Sequence, residues 1–179
     1  MQVAALGLMA AAPALADTIR VAAGPDAQER LQAALIEAKA GDMVDIGAGR
    51  FDLTDGLSLD VNGVTIRGAG PDKTILSFKG QQAAGEGLLV TSDDVVLRDF
   101  AVEDARGDGI KSKGADQIVY KNIRVEWTGG PKETNGAYGL YPVESRNVLI
   151  DGAVVKGASD AGIYVGQSRN IIVRNSTAM

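Results

Sequence analysis

The chain of 179 residues contains neither cysteine nor histidine. Without cysteine it forms no disulfide, and without either residue it lacks the usual ligands of zinc, haem and iron–sulfur clusters. A bound metal ion would therefore be one that takes oxygen ligands, such as calcium. These absences exclude several classes of metalloenzyme and leave chemistry based on carboxylates, lysine and aromatic side chains.

Positive charge is also in short supply. The 18 lysines and arginines are outnumbered by 23 aspartates and glutamates, which gives a net charge of −5. Proteins that bind nucleic acid neutralise phosphates with a basic surface. We therefore expect no nucleic-acid partner. Separately, the length of 179 residues is that of a single domain.

Glycine, by contrast, is abundant and marks a repeat. Five times a glycine followed by leucine or isoleucine opens a short apolar strand, and a second strand begins seven or eight residues later. The opening pairs recur every 22 to 31 residues, at Gly56-Leu57, Gly87-Leu88, Gly109-Ile110, Gly139-Leu140 and Gly162-Ile163. A repeat of this length predicts a solenoid, in which each coil buries its apolar face by stacking on its neighbours. We interpret the glycines as turn residues.

Alternation along the strands predicts which residues point outward, because successive side chains of a strand lie on opposite faces. The outward row of the first strand is Ser58, Leu89, Lys111, Tyr141 and Tyr164. The outward row of the second strand is Thr65, Val96, Val119, Leu149 and Ile172. This second row is almost wholly apolar. Strand propensity, cover by a further segment of chain, or docking of an envelope protein partner would each explain it.

The first residues have the pattern of a secretory signal. We predict a signal peptide over residues 1–16, because the apolar run 3–15 closes with Ala14-Leu15-Ala16, a small-x-small cleavage pattern. The run of about 13 residues is too short to span a bilayer, so no transmembrane segment is expected. The predicted location is the periplasm or the medium.

Residues 17–179 are predicted to form the single domain, truncated at its C-terminus because a new coil starts at residues 170–175. A helix is predicted between Pro25 and Gly41, with Asp26 and Glu29 as a capping box. Placed before the first coil, this helix would cover the open end of the core.

Several segments resemble right-handed parallel β-helix proteins of the pectate-lyase-like superfamily. The resemblance begins with the helix and Gly47-Ala48-Gly49-Arg50-Phe51. From Asp93 onward the chain is similar to bacterial exported β-helix repeat proteins without an assigned activity, at residues 106–111, 127–131, 135–142 and 157–166. The implied fold is all-β, a right-handed parallel β-helix of about five coils with an N-terminal capping helix.

The superfamily implies chemistry on polysaccharides, since pectate lyases, polygalacturonases and mannuronan epimerases use such coils. Polygalacturonases and mannuronan epimerases both use histidine, so neither catalytic set can be transferred to this chain. The stretch Asp108-Gly109-Ile110-Lys111 resembles the Asp-Asp-Gly-Ile motif of polygalacturonases but has only one of the two aspartates. A hydrolase is accordingly disfavoured.

The predicted substrate-binding surface is the outward ladder of Lys111, Tyr141 and Tyr164, flanked by Tyr138 and Glu144. Aromatic rings pack against sugar C–H groups, and charged side chains pair with hydroxyls or uronate carboxylates. The long segment 127–138 is predicted to form a loop beside this ladder. The alternative is an ordinary strand surface, where tyrosine and lysine are common.

Uronate lyases and epimerases need a base that removes the proton α to the carboxylate and a cation that stabilises the enolate. Lys111 or Lys113 could supply one function and calcium the other. The candidate calcium ligands are Asp104, Asp108 and Asp160, although solvated turn aspartates would look the same.

Glu103 and Glu126 are expected to be solvated neighbours rather than a glycosidase pair. Two functions remain open: a uronate-type lyase or epimerase, and a non-catalytic carbohydrate-binding or scaffold protein that acts with a partner in the envelope.

Overall fold

The computed structural model describes residues 16–83 and 85–179. Apart from Ala16, the predicted signal peptide lies outside these residues. In the described part, no helix has the length and apolar character that crossing a bilayer requires. Its helix is α1 (Ala27–Glu37), and its strands are β1 (Thr18–Val21), β2 (Met43–Ile46), β3 (Gly49–Asp52), β4 (Leu57–Leu59), β5 (Thr65–Arg67), β6 (Thr74–Ser77), β7 (Leu88–Val90), β8 (Val95–Glu103), β9 (Ile110–Lys113), β10 (Asp116–Glu126), β11 (Tyr138–Val143), β12 (Arg146–Asp151), β13 (Val154–Lys156), β14 (Ala161–Ile163), β15 (Arg169–Arg174) and β16 (Thr177–Ala178).

The strands pair in parallel and form two sheets. A five-stranded sheet has the order β14-β11-β9-β7-β4, and an eleven-stranded sheet contains the other strands. In the larger sheet the chain turns a corner within each coil at residues with positive φ, such as Asp99 (62°), Asn122 (52°) and Gly152 (73°). Each coil thus passes through three strand segments before it reaches the next, which is the path of a parallel β-helix.

The predicted register is confirmed. Leu57, Leu88, Ile110, Leu140 and Ile163 pair in succession along the five-stranded sheet. The second row pairs in the same way through Thr65, Val96, Val119, Leu149 and Ile172. This register places the inward side chains in one continuous core, where each large apolar side chain contributes roughly 1.5–3 kcal/mol on burial.

The helix packs against strands β1, β3 and β4 through Ala27, Leu31, Ala34 and Leu35. The predicted helix is therefore present, but the predicted capping box is wrong. Asp26 has φ 58° and makes no side-chain hydrogen bond to the helix, because its left-handed backbone does not have the extended conformation typical of a capping residue.

The glycines that open each coil are needed for close packing rather than for turns. None of the five has φ in the left-handed region. A β-carbon added at Gly87, Gly109 or Gly139 would lie 2.7, 2.6 and 2.6 Å from a carbonyl oxygen of the next coil. Neighbouring coils therefore approach so closely at this position that no side chain fits.

The apolar second row is largely covered by its own neighbours. Thr65, Val96, Val119 and Leu149 are half-buried, and Ile172 in the last full strand is 58% exposed. The prediction that this row docks an envelope partner stays a prediction.

Candidate functional site

Three of the four tyrosines of the chain form one aromatic surface on the outer side of the five-stranded sheet. Tyr138 and Tyr164 are stacked, with ring centroids 4.5 Å apart and an angle of 21° between the rings. Tyr141 lies 4.7 Å from Tyr138 and 5.4 Å from Tyr164. This tyrosine surface brings together the aromatic residues predicted from sequence. The parallel register explains it, because β14 lies directly beside β11.

A charged cluster adjoins the tyrosine surface. The ammonium of Lys111 lies 2.9 Å from Oε1 of Glu86, 3.6 Å from Oδ2 of Asp108 and 5.1 Å from the centroid of the Tyr141 ring. The sequence analysis missed Glu86. A signal was present, because Glu86 and Asp108 occupy the same repeat position, directly before the glycines of two neighbouring coils.

The surroundings of the charged cluster shift its three pKa values. Burial raises the pKa of Asp108, and the charge of Lys111 offsets this only in part. Burial acts on Glu86 in the same direction and is the largest single influence, but the hydrogen bond from Lys111, a backbone hydrogen bond and the charges of Lys111 and Lys113 together lower the pKa of Glu86. Burial would lower the pKa of Lys111, yet the two carboxylates hold it above its usual value.

These directions argue against the predicted role of Lys111 as a base. A lysine base must lose its proton near neutral pH, and that requires a lowered pKa. Lys111 instead stays protonated and is a cation within the site. Asp108 is the group in the charged cluster whose pKa is shifted toward neutrality, so it is the better candidate for proton transfer.

Asp108 and Asp160 interact with Tyr138 in different ways, Asp108 through the backbone and Asp160 through the hydroxyl group. The backbone N–H of Tyr138 donates to Oδ1 of Asp108 over 3.2 Å. The pKa of the Tyr138 hydroxyl is raised, mainly by burial and further by the carboxylate of Asp160. Asp160 itself is exposed.

Other predicted site residues lie elsewhere. Asp104 accepts hydrogen bonds from the backbone N–H and the hydroxyl of Thr128, at 2.7 and 2.8 Å. Glu144 lines a separate polar depression together with Arg146 and Arg169. Lys113 is exposed at the end of β9.

The predicted calcium ligands do not come together. Within residues 16–83 and 85–179, no group of three or more histidine, cysteine, aspartate or glutamate side chains is placed to hold a metal ion. Asp104 ends one strand segment, Asp108 precedes β9 and Asp160 precedes β14, so the three carboxylates belong to different positions of the coil. That these aspartates are calcium ligands stays a prediction, and the described residues do not bring the three together at one site.

The long loop 127–138 forms one wall of a groove of about 410 Å³. The buried indole of Trp127 donates its N–H to the carbonyl of Ala105 over 2.8 Å. The amide of Asn135 donates to the carbonyls of Gly130 and Gly157, which holds the loop in place. The groove is lined by Lys79, Asp104, Ala105, Arg106, Trp127, Thr128, Gly129, Lys132, Thr134 and Asn135.

Glu103 is not a solvated residue as predicted. Its side chain is 7% exposed and lies between two guanidinium groups, 2.8 Å from Arg50 and 2.9 Å from Arg124. Arg124 also binds Glu126 at 2.7 Å, so the neighbouring carboxylates share one cation. The prediction failed because Arg50 and Arg124 lie on other coils than Glu103. Arg124 reaches Glu126 from the outward position two residues earlier on the same strand.

The stacked parallel coils define a parallel β-helix protein with an aromatic and charged face on its smaller sheet. Residues 57–179 match the family model described as "Right handed beta helix region". The chain therefore belongs to this family, as the resemblance of its segments had implied. No curated protein sequence matches the chain.

Solved structures with a similar fold include an alginate lyase from Paenibacillus sp. str. FPU-7, with a TM-score of 0.65 and 19% identity, covering 90% of this chain and 66% of that one. The catalytic domain of a GH87 α-1,3-glucanase in complex with nigerose has a TM-score of 0.59 and 17% identity, covering 97% of this chain and 36% of that one. At these identities the likeness concerns the fold alone. The chain spans less than two thirds of the length of either protein.

Proposed function

We propose that this protein binds a polysaccharide on the tyrosine surface and acts on a uronate residue at the charged cluster, as a lyase or an epimerase. The observation that carries the proposal is that Tyr141, one of the three clustered rings, lies beside Lys111 and its two carboxylates. The names of the alginate lyase and the α-1,3-glucanase add support, because both proteins act on polysaccharides and share this fold.

The binding step uses the flat, partly exposed rings. Tyr164 is 42% exposed, and stacked rings offer an apolar area that the C–H face of a sugar can cover. Their hydroxyl groups can bind sugar hydroxyls at the edge of the same surface. A sugar held there lies beside Lys111, since that ammonium is 5.1 Å from the Tyr141 ring centroid.

The chemical step uses the opposite charges of the cluster. The Asp108 carboxylate removes the proton α to the uronate carboxylate, and the Lys111 ammonium stabilises the negative charge that develops there. In a lyase the electron pair then forms the α,β double bond and expels the glycosidic oxygen from the β carbon, and that oxygen takes up a proton from water. In an epimerase a proton returns to the α carbon from the opposite face. Lys111 here supplies the cation for which the sequence analysis had considered calcium.

A non-catalytic carbohydrate-binding protein is the second candidate. Lys111 is already paired with Glu86 over 2.9 Å, and a cation neutralised by its own carboxylates stabilises an enolate less. In either case the proposed location is the periplasm or the medium, which detection of the mature protein in those fractions would test.

The test is to incubate the protein with uronate and neutral polysaccharides and to measure binding together with product. Unsaturated uronates absorb ultraviolet light and report a lyase, and solvent deuterium in the product reports an epimerase. Asp108→Asn should abolish product and retain binding. Asp55→Asn is the matched control, because Asp55 precedes Gly56 at the same repeat position but lies two coils away. Binding without product would favour the second candidate, and no binding to any polysaccharide would overturn both.

A further inference from the structure

Three cationic side chains face the groove beside the loop 127–138 without an acidic partner. Lys79, Arg106 and Lys132 are all exposed and line the groove. Throughout the described residues, no carboxylate oxygen lies within 4.0 Å of any of their charged nitrogens. Such a local excess of positive charge stands out in a chain with a net charge of −5.

Among the described residues that line the groove, Asp104 is the one carboxylate, and its single negative charge offsets only one of the three cations. Asp104 already accepts hydrogen bonds from Thr128, through the backbone N–H at 2.7 Å and the hydroxyl at 2.8 Å. Three cations and one engaged carboxylate leave the groove positively charged. A negatively charged ligand is the chemistry that such a groove recognises.

Two hydrogen bonds hold Arg106 in a position to bind an anionic ligand. Its backbone N–H donates to Oε1 of the buried Gln81 over 3.0 Å, and its Nη1 donates to the carbonyl of Gln82 over 2.7 Å. These bonds direct the guanidinium and leave its other N–H groups without a partner among the described residues. A guanidinium binds a carboxylate or sulfate through two parallel hydrogen bonds.

Lys132 is held close to the backbone of the loop. A β-carbon added at Gly129 would lie 3.0 Å from the Lys132 ammonium, so the glycine leaves room for this charge at the groove. The buried Trp127 forms the rigid base of the same loop through its hydrogen bond to Ala105. The charge of Lys132 is thus carried by a loop that packing fixes in place.

The groove and the proposed substrate site are built from neighbouring stretches of the chain. Arg106 precedes Asp108 by two residues, and Asn135 precedes Tyr138 by three. Because an extended chain advances at most about 3.6 Å per residue, the α-carbons of Arg106 and Asp108 lie within roughly 7 Å of each other. One oligosaccharide could therefore contact both the groove and the tyrosine surface.

We propose that the groove is a second subsite, in which Lys79, Arg106 and Lys132 bind the anionic group of an acidic sugar. This inference rests on the proposed function and deepens it, because it adds a second position, away from the charged cluster, at which the protein recognises an acidic group of the polysaccharide. The anionic group can be the carboxylate of a uronate or a sulfate ester, since both present oxygens that match the guanidinium.

The test measures affinity by calorimetry for three probes: an oligouronate, the same oligosaccharide with its carboxyl groups reduced, and a sulfated neutral oligosaccharide. The wild-type protein should bind the oligouronate at least about tenfold more tightly than the reduced form. Arg106→Gln combined with Lys132→Gln should reduce this preference severalfold and retain the affinity for the reduced form, because Lys111 still favours a uronate at the charged cluster. Lys79→Gln combined with Lys132→Gln serves as a second variant that leaves the backbone contacts of Arg106 intact. Lys121→Gln, an exposed lysine outside the groove, is the matched control.

The outcomes separate the groove from the proposed function. A preference as large in both double variants as in the wild type would overturn the groove as an anion subsite. Equal wild-type affinity for acidic and neutral probes would overturn it as well. In both cases the tyrosine surface would still stand. Failure to bind any probe would overturn the groove and the proposed function together. Tight binding of the sulfated probe alone would support the groove and contradict the uronate chemistry.

Discussion

Lys111 and Glu86, 25 residues apart in the chain, are joined by a hydrogen bond of 2.9 Å between ammonium and carboxylate. The bond links two neighbouring coils, and Asp108 completes the cluster from the same coil as Lys111. Its consequence is a lysine that stays charged beside a carboxyl group whose pKa is raised. This arrangement is the basis for the assignment of Asp108, rather than Lys111, as the base.

Removing the charge of Lys111 should raise the pKa values of both carboxyl groups. The ammonium lowers the pKa of Glu86 and opposes the effect of burial on Asp108. In Lys111→Met both groups should therefore titrate at higher pH than in the wild type, as followed by carboxyl carbon NMR. Lys113→Met is the control, because Lys113 acts on Glu86 only through its charge. Unchanged titration of Asp108 in Lys111→Met would show that the pair does not form.

Truncating Glu103 should destabilise the protein by about 3 kcal/mol or more. The substitution Glu103→Ala leaves Arg124, whose side chain is 14% exposed, without one of its partners. Denaturant unfolding gives the free energy. Asp52→Ala removes a carboxylate that also binds Arg50 but is 81% exposed, and it should cost less than about 1 kcal/mol. Similar losses in the two variants would contradict a buried network.

Adding one methyl group at Gly139 should also destabilise the fold, by about 2 kcal/mol or more. Its β-carbon would lie 2.6 Å from the carbonyl oxygen of Gly162, and backbone atoms cannot move aside as a side-chain tip can. Gly80→Ala is the matched control, because its nearest neighbour, the carbonyl oxygen of Leu53, is 3.4 Å away. Thermal unfolding compares the two variants, and equal melting temperatures would refute the close approach of the coils.

The fold was predictable from sequence because stacking parallel coils repeats one constraint many times. The Gly-Leu and Gly-Ile pairs indicated the register. At Gly56, Gly87, Gly109 and Gly139, however, the glycine leaves room for a carbonyl oxygen of the next coil and does not form a turn. The tyrosine surface followed from the same register, since Tyr141 and Tyr164 share one row. Rows could be extended along the solenoid without knowledge of side-chain conformation.

Contacts between side chains of different rows could not be predicted from strand alternation. Glu86 joins Lys111 from the turn position, and Glu103 is buried by Arg50 and Arg124 at another strand position. Such contacts depend on how long side chains bend across the surface, which alternation does not specify. Asp26 failed as a helix cap because its backbone is left-handed, with φ 58°, and the capping-box pattern does not specify that conformation.

The most direct test of the account is the affinity of the Tyr141→Ala and Tyr164→Ala double variant for an oligosaccharide that the wild type binds. Each exposed ring should contribute about 1 kcal/mol, so the dissociation constant should rise by about thirtyfold. Tyr141→Phe with Tyr164→Phe retains the rings and should retain most of the affinity, and circular dichroism checks that both variants are folded. Unchanged affinity in the folded alanine variant would contradict the claim that the tyrosine surface binds sugar.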